Sequence, residues 1–570
     1  MSARAHIGIV ATLVLGLFPC AARDARAQWS GDPAVNTLVC GAEGRQEAHH
    51  MISDALGRST FVWQDARGGV TDIYAQRLDV YGHRAWGVAG IGVCVEAHAQ
   101  SGPQIVAADA GGAIVVWEDA RSDSGDVYAQ RLGDTGAPAW TTDGIAACAQ
   151  TGRQSAPAAA PDDSGGVIVA WLDRRDGVNT SVYAQRVTPD GATRWSADGV
   201  PVCTAPGAHA SPAVIADGAG GAFVTWADAR GGYRARRIDR DGVAGWTADG
   251  VTLCAVGTPR DLMGIRDDNG GLLVTWDRTD YSGFFRDLLA LRFDGAGVPS
   301  WPDTGVVLSR APFMQRVPGI ASDGAGGAIV AWEDGRNFHL QQVFAQRVDA
   351  SGATRWTTDG VPVRTANLTR PYPVVAPDEA GGAFVVWRDD RAGNVDLWAQ
   401  RLDANGAARW TPEGVPVSTA SDTQSVVVVA SDGAAGIIVG WMDGRDPFTR
   451  TDILAARLLP DGTLASVPTA VPDADAGTTA VRLAPVRPTP ARVEAEVRFT
   501  LARAGTVRLE VFDERGRRVR TLGSGTRSAG EHALRWDLCD TSGRPVANGI
   551  YYVRLVAGGS RPGVRCVVLR

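Results

Sequence analysis

The chain has 570 residues, 45% apolar and 21% charged, with 70 glycines and a formal charge of −7. That length can bury one large core or several. The mildly acidic balance, in which every basic residue is arginine, excludes the overall basic footprint of a nucleic-acid binder.

The chain opens "MSARAHIGIVATLVLGLFPCAARDARAQW" (1–29). A short basic start precedes an apolar run, Ile7 to Phe18, and Ala25-Arg26-Ala27 fits a small-residue cleavage site. The run is too short to span a bilayer. The expectation is a signal peptide over 1–27 and an exported protein, secreted or held at the cell surface. A lipoprotein signal using Cys20 is the alternative. No later segment is apolar for long enough to form a membrane helix.

From residue 29 onward two tryptophan series interleave. One is Trp63, Trp117, Trp171, Trp226, Trp276, Trp332, Trp387 and Trp441, spaced by 54, 54, 55, 50, 56, 55 and 54 residues. The other is Trp29, Trp86, Trp140, Trp195, Trp246, Trp301, Trp356 and Trp410. Each unit reads as four short strands rich in Val, Ile, Trp and Tyr, bounded by Gly, Asp and Pro. Examples are "SPAVIAD" (211–217), "AFVTWAD" (222–228), the third-strand phrase from Asp126 to Leu132, and "RWSADGVPVC" (194–203). No long stretch has helical periodicity. Four strands at this period are the signature of propeller blades. The chain begins on a fourth-strand phrase, "WSGDPAVNTLVC" (29–40), and the eighth unit lacks one. The expected fold is therefore all-β: an eight-bladed β-propeller over 28–464, with the N-terminal strand completing the last blade and leaving no open sheet edge. Seven blades and an open solenoid are the alternatives.

Seven units carry W-x-D-x-R: Asp65/Arg67, Asp119/Arg121, Asp173/Arg175, Asp228/Arg230, Asp334/Arg336, Asp389/Arg391 and Asp443/Arg445. The fifth, "WDRTD" (276–280), breaks it. A third-strand arginine occurs in all eight: Arg77, Arg131, Arg186, Arg237, Arg292, Arg347, Arg401 and Arg457. Features shared by every blade are expected to build the blade, through bidentate Asp–Arg pairs and Arg–Trp stacking. Cys40, Cys94, Cys148, Cys203 and Cys254 recur at one position, a blade apart, and read as small buried thiols rather than disulfides or metal ligands. No cofactor is expected. Calcium is the lesser reading of the Asp/Gly turns; the nearest approach, Asp239, Asp241 and Gly242, lacks a third ligand.

One further recurring position precedes each blade's Gly-Gly turn: Gln46, Gln100, Gln154, His209, Pro259, Gln315, Arg370 and Gln424. These side chains either cap their own loop or ring one mouth of the channel, where His209 and Arg370 would meet a ligand. Function is sought where copies differ. The loops between second and third strands vary most in blades four to six. There Tyr233, Tyr281, Phe284, Phe285, Phe338 and His339 would form an aromatic arc suited to a glycan or a protein segment. Asp280 and Asp287 stand outside the repeat, and as a rim pair they could serve a glycoside hydrolase or lyase. No nucleophile elbow, metalloprotease motif or phosphate loop is present.

After Gly462 a segment rich in Ala, Pro and Thr reads as a linker over 465–490. Residues 491–570 then alternate apolar and polar positions over about six strands, a small β-sandwich pattern. Cys539 and Cys566 could form a disulfide there. "VRLEVFDERGRRVRTL" (507–522), "AGEHALRWD" (529–537), "SGRPVANGIYYVRL" (542–555) and the closing "VVLR" (567–570) resemble the Ig-like domain of the flagellar hook-capping family. They also resemble the C-terminal sorting domains of type IX secretion. "APVRPTP" (484–490) stands where those domains usually open with Pro-Asn-Pro-Phe. The resemblance implies export, attachment or scaffolding, with the secretion machinery as partner, and no catalysis. The repeat half resembles uncharacterised secreted bacterial repeat proteins, which implies no activity. The combined expectation is a secreted or surface propeller for binding or scaffolding. A carbohydrate-active enzyme with its site on blades four to six, and a structural envelope protein without a small ligand, are the alternatives.

Overall fold

The computed structural model describes residues 29–54, 56–122, 124–254, 258–279, 285–337, 341–446, 450–466, 482–483, 491–501, 504–513, 517–557 and 563–569. The chain divides into two compact units, Met1–Val467 and Pro468–Arg570.

The first unit is a set of eight four-stranded antiparallel sheets among the described residues. Blade three is typical: Gln154–Pro161, Val167–Asp173, Ser181–Val187 and Val200–Cys203 pair in chain order. The last sheet is different in origin. Its strands Gln424–Ser431, Ile437–Asp446 and Arg450–Leu458 are completed by Thr37–Cys40, which pairs with the third of them. First strands of neighbouring blades lie against one another all the way round, the eighth against the first. The ring therefore closes through chain ends more than 370 residues apart, shown by Asn36 Nδ2 donating to Val417 O across a separation of 381 positions.

Cores lie between blades rather than within them. One apolar cluster joins Val62, Ile73 and Ala75 of blade one to Ile105, Val115, Trp117 and Leu132 of blade two. The closing cluster joins Trp29, Val39 and Cys40 to Phe61 and Trp63 of blade one and to Ile438 and Ile453 of blade eight. The second-strand tryptophans supply the largest pieces: Trp63, Trp117, Trp171, Trp226, Trp332, Trp387 and Trp441 are fully buried. Truncating such a ring costs about 3–5 kcal/mol. All of these but Trp441 also lie against a left-handed glycine. Gly144 has φ +87°, and a Cβ there would lie 2.5 Å from the Trp117 ring.

The second unit packs two sheets: Arg482–Leu483, Ala495–Leu501 and Gly530–Trp536 in one, and Arg518–Arg527, Gly505–Asp513, Gly549–Ala557 and Gly563–Val568 in the other. Val497, Phe499, Leu509, Val511, Trp536, Val553 and Leu555 fill the space between them. Cys539 and Cys566 are separate thiols, which corrects the suggested disulfide. Cys566 faces this core, whereas Cys539 sits on the turn after Gly530–Trp536 with Sγ donating to Asp537 O.

Candidate functional site

The repeated polar residues are consumed in construction. In six described copies of W-x-D-x-R the tryptophan Nε1 donates to Asp Oδ2 at 2.7–3.1 Å. The arginine Nε donates to Oδ1 of the same carboxylate at 2.6–2.9 Å. Burial opposes the charge on Asp119, but the bonds from Arg121 and Trp117 outweigh it and hold the carboxyl below its usual range. The guanidinium stacks on a third-strand ring, not on the tryptophan of its own motif: Arg67 on Tyr74, Arg121 on Tyr128, Arg175 on Tyr183, Arg336 on Phe344, Arg391 on Trp398. The preceding blade's cysteine fills the space beside it, with Arg121 Nη2 3.1 Å from Cys94 Sγ. Burial pushes Cys94, Cys148 and Cys254 up to about 12.

The third-strand arginines join blade to blade. Each donates from Nη1 to one backbone carbonyl in the following blade, and the tryptophan of the second series donates from Nε1 to that same oxygen. Arg186 and Trp195 meet at Arg240 O, at 3.0 and 3.1 Å. The same arrangement occurs at Asp134, Pro189, Gly295, Ala350, Ala404 and Pro460. The eighth instance closes the ring, with Arg457 and Trp29 both on Val80 O at 3.2 and 3.0 Å.

The recurring glutamines are loop caps. Gln46, Gln100, Gln154, Gln315 and Gln424 are fully buried and donate from Nε2 to carbonyls of their own loop. His209 does the same work: Nε2 lies 3.1 Å from Ala205 O, and Nδ1 accepts the Ala229 N–H. At 2% exposure it offers nothing to a ligand at the surface, which removes it from the expected ligand set. Cys203, His209 and Asp228 are the one trio among the described residues placed to hold a metal ion. Their donor atoms are already committed, to Ala205, Ala229, Trp226 and Arg230. The turn considered for calcium is closed by Asp239 Oδ1 accepting the N–H groups of Asp241 and Val243.

Eight first strands line the channel, and each bends two residues beyond the cap. Ala48, Gly102, Ala156, Ser211, Asp261, Val317, Tyr372 and Val426 have φ between 41° and 60°. A β-bulge breaks the register there in the seven blades whose first strand pairs through this point. Cavities of about 410 and 700 Å³ follow, the first lined by Gly102, Gln104, Glu118, Ala156 and Ser211, the second mostly apolar with Ile52, Val106, Val214 and Ile265. In three blades the residue after the second-strand tryptophan reaches the next blade's bulge. Gln64, Glu118 and Glu333 accept the N–H groups of Gly102, Ala156 and Tyr372 at 3.4, 3.4 and 2.9 Å.

At this rim the repeat breaks in blades five to seven. Blade five comprises Thr258–Arg266, Leu272–Thr279, Arg286–Phe293 and Val306–Ser309. Its carboxylate follows the tryptophan directly. Asp277 is fully buried, with Oδ2 receiving Arg286 Nη1 at 2.8 Å. Burial raises it to about 6, only partly offset by Arg286, and nearby Asp261 adds to the rise. Asp277 Oδ1, Thr279 Oγ1 and Arg286 Nε are buried without a hydrogen-bond partner. Asp261 stands exposed on the bulge, and Tyr233 reaches from blade four to the Leu262 backbone. Next along, buried Glu333 pairs with Arg316 at 2.9 Å, Arg388 lies 5.3 Å from the Tyr372 ring, and Arg370 Nη1 is 3.4 Å from Tyr372 Oη.

Of the expected rim residues, Tyr233 is half-buried, Arg370 is exposed, and Phe285 is 46% exposed and stacked on Phe313 with centroids 5.9 Å apart. Asp287 is neutralised by Arg278 at 2.9 Å and Arg310 at 3.6 Å, so the suggested acid pair loses one free member. Asp280, Tyr281, Phe284, Phe338 and His339 lie outside the described residues. Sequence reasoning missed Asp261, Asp277, Arg286, Glu333 and Tyr372. The available signal was the position after each tryptophan, where Asp277 is the only aspartate.

The FlgD Ig-like domain family matches residues 489–560. The C-terminal unit is such a domain. No curated protein sequence matches the chain. Among solved structures, an ulvan lyase of polysaccharide lyase family PL25 is 11% identical with a TM-score of 0.39, covering 78% of this chain and 97% of its own. PorZ, a surface component of the type IX secretion system of Porphyromonas gingivalis, is 12% identical with a TM-score of 0.27, covering 91% and 75%. A Dyadobacter fermentans protein of unknown function is 12% identical with a TM-score of 0.33, covering 62% and 93%. Similarity at these levels carries no functional argument.

Proposed function

We propose that this is an exported binding protein: a propeller that presents one ligand-recognition rim, joined to an Ig-like module for sorting or surface attachment. The single supporting observation is how the polar residues divide. Those that repeat are spent on Trp–Asp–Arg locks and shared carbonyls. Those that do not repeat gather at the rim of blades five to seven, as Asp261, Asp277, Arg286, Arg370 and Tyr372, beside Glu333, which shares its position and its bond to the next bulge with Glu118 of blade two. Asp261 and Arg370 are the exposed members of this set and Tyr372 is half-buried, which gives a carboxylate acceptor, a guanidinium donor and a phenol suited to glycan hydroxyls, while Asp277 and Glu333 are buried. Export rests on the leader at 1–27. Among the described residues no helix is long and apolar enough to cross a membrane.

A second reading has one observation in its favour. A buried carboxyl raised to about 6 beside exposed Asp261 is the kind of pair that serves as acid and base on a glycan. A glycan and polysaccharide array with the purified chain, read for retention and for cleavage products, separates the two. Retention without products supports recognition, cleavage supports the enzyme, and silence on both counts against either.

A further inference from the structure

The formal charge of −7 conceals two opposed halves. Residues 491–570 hold 15 arginines against eight acidic residues, a net +7, which leaves −14 on residues 1–490. The C-terminal excess has a focus. Along Gly505–Asp513, Val507, Leu509 and Val511 face the core, so Arg508, Glu510 and Phe512 face away from it. Register places Arg518 and Tyr552 beside Phe512, and Arg554 beside Glu510. Three guanidiniums surround the single carboxylate of Glu510: Arg518 at 3.1 Å, Arg554 at 3.3 Å and Arg508 at 3.7 Å. They cover it to 2% exposure, while their own side chains remain 55% (Arg508), 56% (Arg518) and 43% (Arg554) exposed. Arg554 also lies 4.3 Å over the Phe512 ring, and Tyr552 is 43% exposed beside it.

One carboxylate cannot neutralise three arginines, so this face keeps a fixed surplus of two positive charges on a rigid sheet. Glu510 offsets one of the three charges from beneath, so losing its charge would raise the surplus, while the three guanidinium side chains stay about half exposed. Planar donors of this kind match carboxylate and sulfate groups. Flanking aromatic rings offer faces on which sugar rings pack. We propose that the outer face of the four-stranded sheet, centred on Arg508, Arg518 and Arg554, binds an acidic polysaccharide. This deepens the attachment half of the proposed function and rests on that reading. Surplus positive charge set beside the Phe512 and Tyr552 rings, on which sugar rings can pack, favours an extended anionic glycan over a lipid surface.

The test uses the full chain on immobilised polygalacturonate and dextran sulfate, with neutral dextran and phosphatidylglycerol vesicles as comparison arms. The expected result is salt-sensitive retention on both acidic polymers and none on neutral dextran. Arg508→Ser with Arg518→Ser, which leaves Arg554 on Glu510, should weaken retention by about tenfold or more, the loss expected when charge-assisted pairs are removed. Glu510→Gln should tighten it, an effect that a merely structural role would not produce. The proposal is overturned by unchanged retention in the double variant with near-ultraviolet dichroism intact, by weaker retention in Glu510→Gln, or by binding to vesicles without binding to either polymer. Cell-surface retention of the double variant is scored separately. If attachment persists while polymer binding is lost, attachment stands and the polysaccharide is not its route.

Discussion

Blades three and five occupy equivalent places in the same ring and solve the same problem differently. In blade three, Trp171, Asp173 and Arg175 form a set in which both carboxylate oxygens, the indole N–H and the Arg175 Nε and Nη2 groups are all bonded. In blade five the carboxylate has moved one position along the strand, from the tryptophan's face to the opposite face. Trp276 Nε1 is left without an acceptor, and Arg278 turns to Asp287 instead. Asp277 is then buried against Arg286 with one oxygen unpaired. A displacement of one residue converts a structural lock into an unsatisfied polar site. In this pair of blades the regular motif is spent on scaffold, and the irregular one leaves polar atoms unpaired.

The comparison can be broken most decisively in the regular blade. Asp173→Ala should destabilise the propeller by about 2–4 kcal/mol, the cost of leaving the buried Trp171 N–H and the half-buried Arg175 guanidinium without their acceptor. Denaturant unfolding measures it. A loss under about 1 kcal/mol would mean that the lock is ornamental.

Asp277→Asn should act in the opposite direction. The folded carboxyl titrates near 6, above the ordinary carboxylate value of 3.8, so the folded state holds its proton more tightly than the unfolded chain does. Its charge therefore costs stability above about pH 6, and the cost disappears as pH falls toward 4. The variant should gain about 1–2 kcal/mol over wild type at pH 8 and nothing at pH 4. Melting curves at the two pH values check this. A loss at pH 8 would show that the Arg286 pair outweighs the burial cost.

The smallest effect concerns the thiols. Cys40, Cys94, Cys148, Cys203, Cys254 and Cys566 are buried, while Cys539 is half-exposed. Among residues 28–570, native protein should therefore titrate about one fast thiol with an aromatic disulfide reagent. Additional fast thiols would mean that neighbouring blades open readily.

Much of the fold was legible because its signals are covalent in spacing. Two tryptophan series, a Gly-Gly turn and an orphan strand at 29–40 dictate sheets of four and a closure between chain ends. The site was less legible. The bulge residues share a left-handed backbone but no side-chain type: alanine, glycine, serine, aspartate, valine and tyrosine all occur there. Sequence reading fixed on the longest loops, whereas burial selects the strand residue after Trp276, whose importance appears only once Arg286 and Asp261 are placed beside it. Gln46 and His209 were ambiguous for the same reason, since capping and ligand contact call for the same side chains and only burial separates them.

The central claim is that recognition lies where the repeat fails. The measurement that tests it most directly is the glycan array run in parallel on wild type, Asp261→Ala, Arg370→Ala and Asp163→Ala, the last a charge change on the regular third blade. The account predicts one set of wild-type ligands, lost in the first two variants and kept in the third, with all four melting at similar temperatures. Ligands that survive both rim substitutions, or that vanish with Asp163→Ala alone, would contradict it.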